Sequence, residues 1–132
     1  MISNRSMPPG VIIPELPYDD VETAAEWLCN VFGFQKRLQI ANHRFQLLFQ
    51  GASIVAIQSR ESGRCSTLVN VEAVDAHYQH AAAAGAEIVN PPANYPFGER
   101  QYTARDVGGH LWTFSESIAD SDPTTWGGVL FE

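Results

Sequence analysis

The sequence predicts an α+β protein made of two βαβββ modules, in which half-barrel sheets form a cleft and the helices lie outside. Two segments have apolar residues at helical spacing, and each ends at a glycine suited to a left-handed helix C-cap, Gly33 or Gly85. Each segment follows one strand-like run and precedes three others. The same order of elements therefore occurs twice, which indicates an internal duplication. Because each helix needs a sheet to cover its apolar side, two sheets with outer helices satisfy the demand for burial.

The first module is predicted over residues 11–60. Its first strand is expected at Val11–Leu16, where Pro14 favours an edge position because it donates no ladder hydrogen bond. Asp20 is suited to cap the N-terminus of the helix. A meander with two-residue turns follows, with strands at Phe34–Ile40, His43–Gln50 and Ser53–Ser59. A polar loop, Glu61–Arg64, separates the modules.

The second module is predicted over residues 65–115, within one domain of residues 11–115. Its elements in order are strand Ser66–Val71, helix Val74–Ala84, strand Ala86–Val89, a Pro-rich loop Asn90–Phe97, and strands Glu99–Asp106 and His110–Ser115. A polar leader over residues 1–10 is expected to be flexible, and residues 116–132 form a C-terminal tail.

Composition narrows the classes of partner. The chain has 132 residues and a formal net charge of −7, with only 8 Lys and Arg residues, so it lacks the basic clusters that nucleic-acid binding requires. No apolar run approaches the ~20 residues needed to cross a bilayer, and we expect no membrane partner. Cys29 and Cys65 match no metal-binding spacing, and we interpret them as free thiols of a cytoplasmic protein.

Three stretches are characteristic in their order and spacing. Asp20–Phe34 is a helix that ends in Gly before an apolar residue, Val71–Val89 is a second helix with its following strand, and Gly98–Phe114 is a hairpin with Asp-X-X-Gly-His at its turn. Together they resemble the vicinal oxygen chelate superfamily of glyoxalases, bleomycin resistance proteins and dioxygenases, although Val107 replaces the usual proline. The resemblance covers about residues 11–115. It implies a cleft between two modules, frequently in a homodimer, and either metal-dependent catalysis or metal-free drug binding.

The resemblance also indicates where a metal would bind. Metal-dependent members carry His, Glu or Gln on the first and last strands of each module, and the corresponding positions lie near Ile13, Ala56, Ser66 and Thr113. None of these is a usual ligand of Zn, Mn or Fe. Glu15 and Gln58 lie two residues along on the expected faces, but two weak oxygen ligands make no site. We therefore predict no metal and no cofactor.

Three histidines have competing interpretations. His77 and His80 lie at i, i+3 on the second helix, a spacing that can chelate a metal but more often marks a solvated face. The solvated face is favoured because the buried stripe is expected to contain Val74, Tyr78, Ala81 and Ala82. His110 begins the last strand, where we expect packing or hydrogen bonding in the hairpin.

Strand alternation assigns side chains to two faces of each sheet. Tyr102, Trp112 and Phe114 are expected to face the helices as core. The cleft face and an aromatic loop are expected to supply the ligand-binding residues, namely Glu15, Phe45, Phe49, Gln58, Ser66, Asn70, Tyr95, Phe97, Thr103, Arg105, Thr113 and Ser115. Arg105 would either hold a carboxylate or planar ligand or form an ion pair with Glu15 or Glu99.

These expectations favour a small-molecule binding protein of the glyoxalase/bleomycin resistance type, metal-independent and suited to sequestering a drug. The alternative is a lyase, isomerase or dioxygenase-type enzyme of the same superfamily, and no catalytic residues are assigned. A homodimer is expected, and Trp126 in the tail is expected to contact the partner subunit rather than a ligand. An interaction module with a filled cleft is the third alternative.

Overall fold

Residues 4–60 and 64–130 are described by the computed structural model, and they contain eight strands and two α-helices. The expected loop at 61–63, and the ends of the expected leader and tail at 1–3 and 131–132, lie outside the described residues. The chain divides into two compact units, one of residues 1–65 with Val107–Gly109 and one of Ser66–Asp106 with the residues from His110 onward. Neither described helix has the length and apolar character needed to span a bilayer.

The first unit contains one βαβββ module. Its elements are β1 (Glu15–Tyr18), α1 (Val21–Trp27) with a π-helical turn at Leu28–Phe32, β2 (Gln35–Ile40), β3 (Arg44–Phe49) and β4 (Ala52–Gln58). The sheet has the order β1-β4-β3-β2, in which β1 runs parallel to β4 and the other pairs are antiparallel.

Both ends of the first helical segment are set by the residues predicted to set them. Asp20 accepts hydrogen bonds from the backbone N–H of Thr23 at 3.1 Å and from its hydroxyl at 2.9 Å. These bonds favour the carboxylate and lower the pKa of Asp20. Gly33 has φ of 87°, a backbone conformation that only glycine adopts without strain. The change to π-helical bonding at Leu28 was not predicted.

The first strand begins later than predicted. The expected range was Val11–Leu16, but Val11 is fully exposed and the strand runs from Glu15 to Tyr18. The N–H of Val55 on β4 donates to the carbonyl of Pro14 at 2.9 Å. Pairing with β4 therefore selects the residues after Pro14, and Pro17 is tolerated because β1 is an edge strand.

The second unit contains the second module. Its elements are β5 (Ser66–Asn70), α2 (Val74–Ala83), β6 (Glu87–Tyr95), β7 (Glu99–Arg105) and β8 (Leu111–Ser117), followed by a 3₁₀ turn at Pro123–Trp126. The sheet order is β5-β8-β7-β6, with β5 parallel to β8. The strand orders of the two sheets are equivalent, which confirms the predicted α+β class with two βαβββ modules.

Strand β6 is longer than predicted. We expected a strand that ended at Val89 and a Pro-rich loop up to Phe97, but the strand continues to Tyr95. Its register against β7 shifts between Ile88 and Asn90 and again between Asn90 and Ala93. The first irregularity precedes the two prolines and the second contains them. Both prolines lack a ladder donor and are accommodated in an edge strand with bulges.

The core of the second unit lies beneath α2. Tyr102, Trp112 and Phe114 are fully buried, as predicted from strand alternation. The His77 ring lies 4.1 Å from the Phe114 ring, and its Nδ1 lies 2.5 Å from the Tyr102 hydroxyl. The prediction of a solvated face was therefore wrong for His77, because its ring packs on the sheet instead of facing water.

Candidate ligand-binding site

Strand register defines one face of the second sheet that α2 does not cover. Thr103 on β7 pairs with Thr113 on β8, and Thr113 pairs in turn with Leu68 on β5. Paired residues project to the same side of a sheet, opposite to the buried side that carries Tyr102. We call this side the open face. Its members on β5, β7 and β8 are Ser66, Leu68, Asn70, Glu99, Gln101, Thr103, Arg105, Leu111, Thr113 and Ser115.

The middle of the open face combines apolar area with hydroxyl groups. Leu68 is 64% exposed, although it lies within a strand. The hydroxyls of Thr103 and Thr113 lie 2.9 Å apart and share a hydrogen bond. Each hydroxyl keeps further acceptor capacity, so this region can contact an apolar surface and accept a hydrogen bond from the same molecule.

A carboxylate held by two neighbours lies at one end of the open face. Ser115 Oγ donates to Glu99 Oε1 at 2.5 Å, and Gln101 Nε2 donates to the same oxygen at 2.9 Å. Ser115 was among the predicted site residues, whereas Glu99 appeared only as a candidate partner of Arg105. Glu99, Thr103 and Arg105 occupy odd-numbered positions of β7. This alternation could have placed Glu99 on the same face as the other two.

Arg105 lies at the other end of β7. Its Nε donates to Glu87 Oε2 at 3.1 Å, so its carboxylate partner is Glu87 on β6 and neither of the two candidates named from sequence. Glu87 has a side chain that is 67% exposed. An ion pair this exposed contributes little to holding Arg105 in place.

An aromatic cluster borders the Glu99 end of the open face. Tyr95 is the register partner of Glu99, and its ring stacks on Phe97 with centroids 5.4 Å apart. Trp126 meets Phe97 edge-on at 6.0 Å. Tyr95 is 37% exposed and Trp126 is 42% exposed. The two predicted aromatic site residues, Tyr95 and Phe97, therefore lie together and beside the held carboxylate.

In the first sheet, the expected facing of three predicted site residues was wrong. Phe45 is fully buried and pairs with Ala56, which pairs with Leu16. Gln58 Oε1 accepts the N–H of Val21, the first residue of α1, at 2.9 Å. The Phe49 ring packs at 5.2 Å from Phe34. Phe45, Phe49 and Gln58 therefore face α1, because the largest apolar side chains of the meander are removed from water beneath the helix.

Two polar side chains on the opposite face of the first sheet, Glu15 and Gln46, already have partners. Glu15 Oε2 accepts from Arg44 Nη2 at 2.6 Å. Gln46 is buried, and its Nε2 donates to the carbonyl of Ser6 in the N-terminal segment at 2.8 Å. Glu15, a predicted site residue, is therefore engaged in an ion pair.

The side chains present do not fit a metal centre of the superfamily type. Ala56 faces α1, so the residue that pairs with Glu15 on the opposite face is Val55. The equivalent pair in the second sheet is Leu68 with Thr113. Among the four residues of these two pairs, only Glu15 could act as a metal ligand, and its carboxylate is paired with Arg44. Among the residues that the structure describes, no three His, Cys, Asp or Glu side chains are grouped to hold an ion.

A pocket of about 270 Å³ lies in the first unit, and its lining contains none of the predicted site residues. It is lined by Pro17, Tyr18, Asp19, Asp20, Thr23, Ala24, Val107 and Gly108. Both carboxylate oxygens of Asp20 accept hydrogen bonds from Thr23 as part of the helix cap. Asp20 is therefore occupied by the cap.

Comparison with known proteins identifies a family and related structures. The model of the Glyoxalase/Bleomycin resistance protein/Dioxygenase superfamily matches residues 11–114. TioX from Micromonospora sp. ML1 is 34% identical, with a TM-score of 0.77 over 83% of this chain and 99% of that one. TnmS3, an antibiotic binding protein from Streptomyces sp. CB03234, is 24% identical, with a TM-score of 0.72 over 82% and 95%. Lactoylglutathione lyase from Agrobacterium tumefaciens is 15% identical, with a TM-score of 0.70 over 92% and 98%. No curated protein matches the chain.

Proposed function

Because the chain belongs to the Glyoxalase/Bleomycin resistance protein/Dioxygenase superfamily, we propose that it binds a small organic molecule on the open face of its second sheet. The observation that carries this proposal is the exposure of Leu68, at 64%, beside the hydroxyls of Thr103 and Thr113. Apolar area next to a few fixed polar groups is the usual composition of a small-molecule site. Ser66, Asn70, Ser115 and Arg105 belong to the same proposed site.

Drug sequestration is the form of binding that we favour. TnmS3 is an antibiotic binding protein with the same fold, which supports a similar role. The described open face carries serines but no histidine that could activate them as nucleophiles. Binding alone therefore accounts for the groups on this face. We propose that the ligand is an organic antibiotic with a flat apolar part that contacts Leu68.

A binding titration with a charge-introducing variant tests the proposal. The probes are bleomycin and a panel of planar polycyclic antibiotics, measured by calorimetry. Leu68→Asp places a charge in the proposed contact, and we expect it to weaken the tightest ligand by about tenfold or more. Ile118→Asp is the matched control, because Ile118 is an exposed apolar residue just beyond β8. Equal weakening by both variants, or binding that Leu68→Asp leaves intact, would contradict the proposed location.

We propose that binding is independent of metal. The positions that would supply ligands carry Val55, Leu68 and Thr113, and Glu15 is paired with Arg44. A thermal-shift titration with Mn, Zn, Ni and Fe(II) tests this, with no stoichiometric rise in melting temperature expected. A stoichiometric, stabilising ion would favour the alternative function, a lyase, isomerase or dioxygenase-type enzyme acting on a small organic substrate.

We further propose a cytoplasmic homodimer in which residues 11–115 act as one binding domain between a leader and a tail. Cys29 and Cys65 are reduced thiols, which supports a reducing compartment. Exposed apolar side chains near the C-terminus support a contact with a second copy: Val129 and Leu130. Analytical ultracentrifugation tests the dimer. Leu130→Asp is expected to shift the protein toward monomer, and a wild-type protein that is monomeric at high concentration would contradict it.

A further inference from the structure

The end of the open face where β6 and β7 join combines a held carboxylate with exposed aromatic rings. We propose that this end, formed by Glu99 and Tyr95 with Phe97 and Trp126, is a subsite for an organic cation. This inference rests on the proposed function, because it names the chemistry of one end of the same site. A flat or compact group with positive charge, such as a quaternised nitrogen heterocycle, is the class of ligand group that it fits.

Glu99 is held in place by two neighbouring side chains. One oxygen, Oε1, accepts hydrogen bonds from Ser115 and Gln101. Both bonds fix the orientation of the carboxylate. The two donors leave the second oxygen of Glu99 for a ligand.

No basic side chain within the described residues neutralises the Glu99 carboxylate. Among residues 4–60 and 64–130, Glu99 takes part in no ion pair with Lys, Arg or His. The nearest basic residue in sequence, Arg100, is held on the other side of the strand by Asp75 and by the amide oxygen of Asn94. Arg105 is paired with Glu87. The negative charge of Glu99 is therefore left for a partner outside the chain.

Aromatic rings lie next to the carboxylate of Glu99. Tyr95 is directly across the strand pair from Glu99, which places the two side chains within about 5 Å at their Cβ atoms. Its ring stacks on Phe97, and Trp126 extends the cluster. A cation is attracted both by a carboxylate and by the faces of Tyr and Trp rings. A neutral flat ligand would gain the aromatic contact but not the electrostatic one.

Two probes of the same size separate these contributions: N-methylquinolinium, which is a cation, and 4-methylquinoline, which is neutral at mildly alkaline pH. We expect wild-type protein to bind the cation about tenfold more tightly than the neutral probe. Glu99→Gln keeps the shape and should remove this preference, whereas Glu72→Gln, at an exposed position outside the site, should retain it. Tyr95→Leu should weaken the binding of the cation without changing the charge of the site.

Circular dichroism of each variant establishes that it is folded, and added salt provides a test on the wild type alone. Sodium chloride should weaken the binding of the cation and leave the binding of the neutral probe unaffected. A cation preference that survives Glu99→Gln, or wild-type affinities that are equal for the two probes, would overturn the subsite. If the neutral probe still binds and Leu68→Asp abolishes that binding, the subsite alone has failed. If neither probe nor any antibiotic binds, the proposed function has failed with it.

Discussion

The indole N–H of Trp112 donates a hydrogen bond to Oδ2 of Asp106 at 2.9 Å. The other oxygen of that carboxylate accepts the backbone N–H of His110 at 2.9 Å, and the N–H of Asp106 donates to the carbonyl of His110 at the same distance. All three residues are buried. One carboxylate therefore satisfies two buried donors where β7 meets β8. These bonds fix the register of the two strands, and that register decides which side chains reach the open face.

Replacing Asp106 with Ala should remove the carboxylate that accepts from the Trp112 indole N–H and the His110 backbone N–H. We expect the free energy of unfolding in urea to fall by about 2–4 kcal/mol, since a buried donor without a partner costs roughly 1–3 kcal/mol. Asp106→Asn retains one acceptor oxygen and should lose less. A loss below about 0.5 kcal/mol for the alanine variant would show that neither bond matters to stability.

Trp112→Ala tests the assignment of faces in the second sheet. Trp112 is fully buried beside Phe114, so its removal should cost about 3–5 kcal/mol in urea unfolding. Trp126 is the matched control because it is a tryptophan in the same unit that is 42% exposed. Trp126→Ala should cost less than about 1 kcal/mol. Similar losses in the two variants would contradict the assignment.

Tyr102 should make stability depend on alkaline pH. Burial raises the pKa of its phenol above the ordinary value of about 10. Above that pH the unfolded chain ionises the phenol while the folded protein keeps it protonated. The folded state then binds more protons, so the free energy of unfolding falls as pH rises from about 10 toward the folded pKa.

Comparing variants isolates this contribution from other groups that titrate in the same range. Tyr102→Phe should flatten the fall by up to about 1.4 kcal/mol per pH unit. The measurement is urea unfolding at a series of alkaline pH values. Identical pH profiles for wild type and Tyr102→Phe would count against the prediction.

Arg105 should contribute to binding more than to folding. Its partner Glu87 is 67% exposed, and ion pairs this close to solvent contribute about 0–1 kcal/mol. Arg105→Ala should therefore lose less than about 1 kcal/mol of unfolding free energy from this ion pair while weakening the binding of an antibiotic that carries a carboxylate. Glu87→Gln should retain binding. A stability loss of several kcal/mol in Arg105→Ala would make the residue structural.

The second module was predictable from sequence to a large extent because its signals agree. Gly85 follows the helix, and the Asp106-X-X-Gly-His110 turn sets the alternation of the last two strands. The burial of Tyr102, Trp112 and Phe114 follows from that alternation. The extension of β6 through two prolines could not be predicted, because bulges against β7 absorb the residues that local propensity assigns to a loop.

The facing of the strands in the first module was harder to predict, because one face of its meander is apolar and the other face carries both apolar and polar residues. Phe45 and Phe49 were expected to line a cleft, but their rings pack beneath α1. Arg44 and Gln46 take the opposite face, where Glu15 and the Ser6 carbonyl supply their partners. Both partners are distant in sequence, so the pairing that decides the facing is tertiary and leaves no local signal.

Amide chemical-shift mapping during titration with the tightest-binding antibiotic tests the central claim most directly. Binding on the open face predicts that the largest shifts fall on β5, β7 and β8, with Leu68, Thr103 and Thr113 among them, and that a metal chelator leaves the map unchanged. Shifts concentrated at Tyr18, Asp20 and Thr23 around the first-unit pocket would contradict the claim. A map that forms only after a divalent metal is added would contradict it as well.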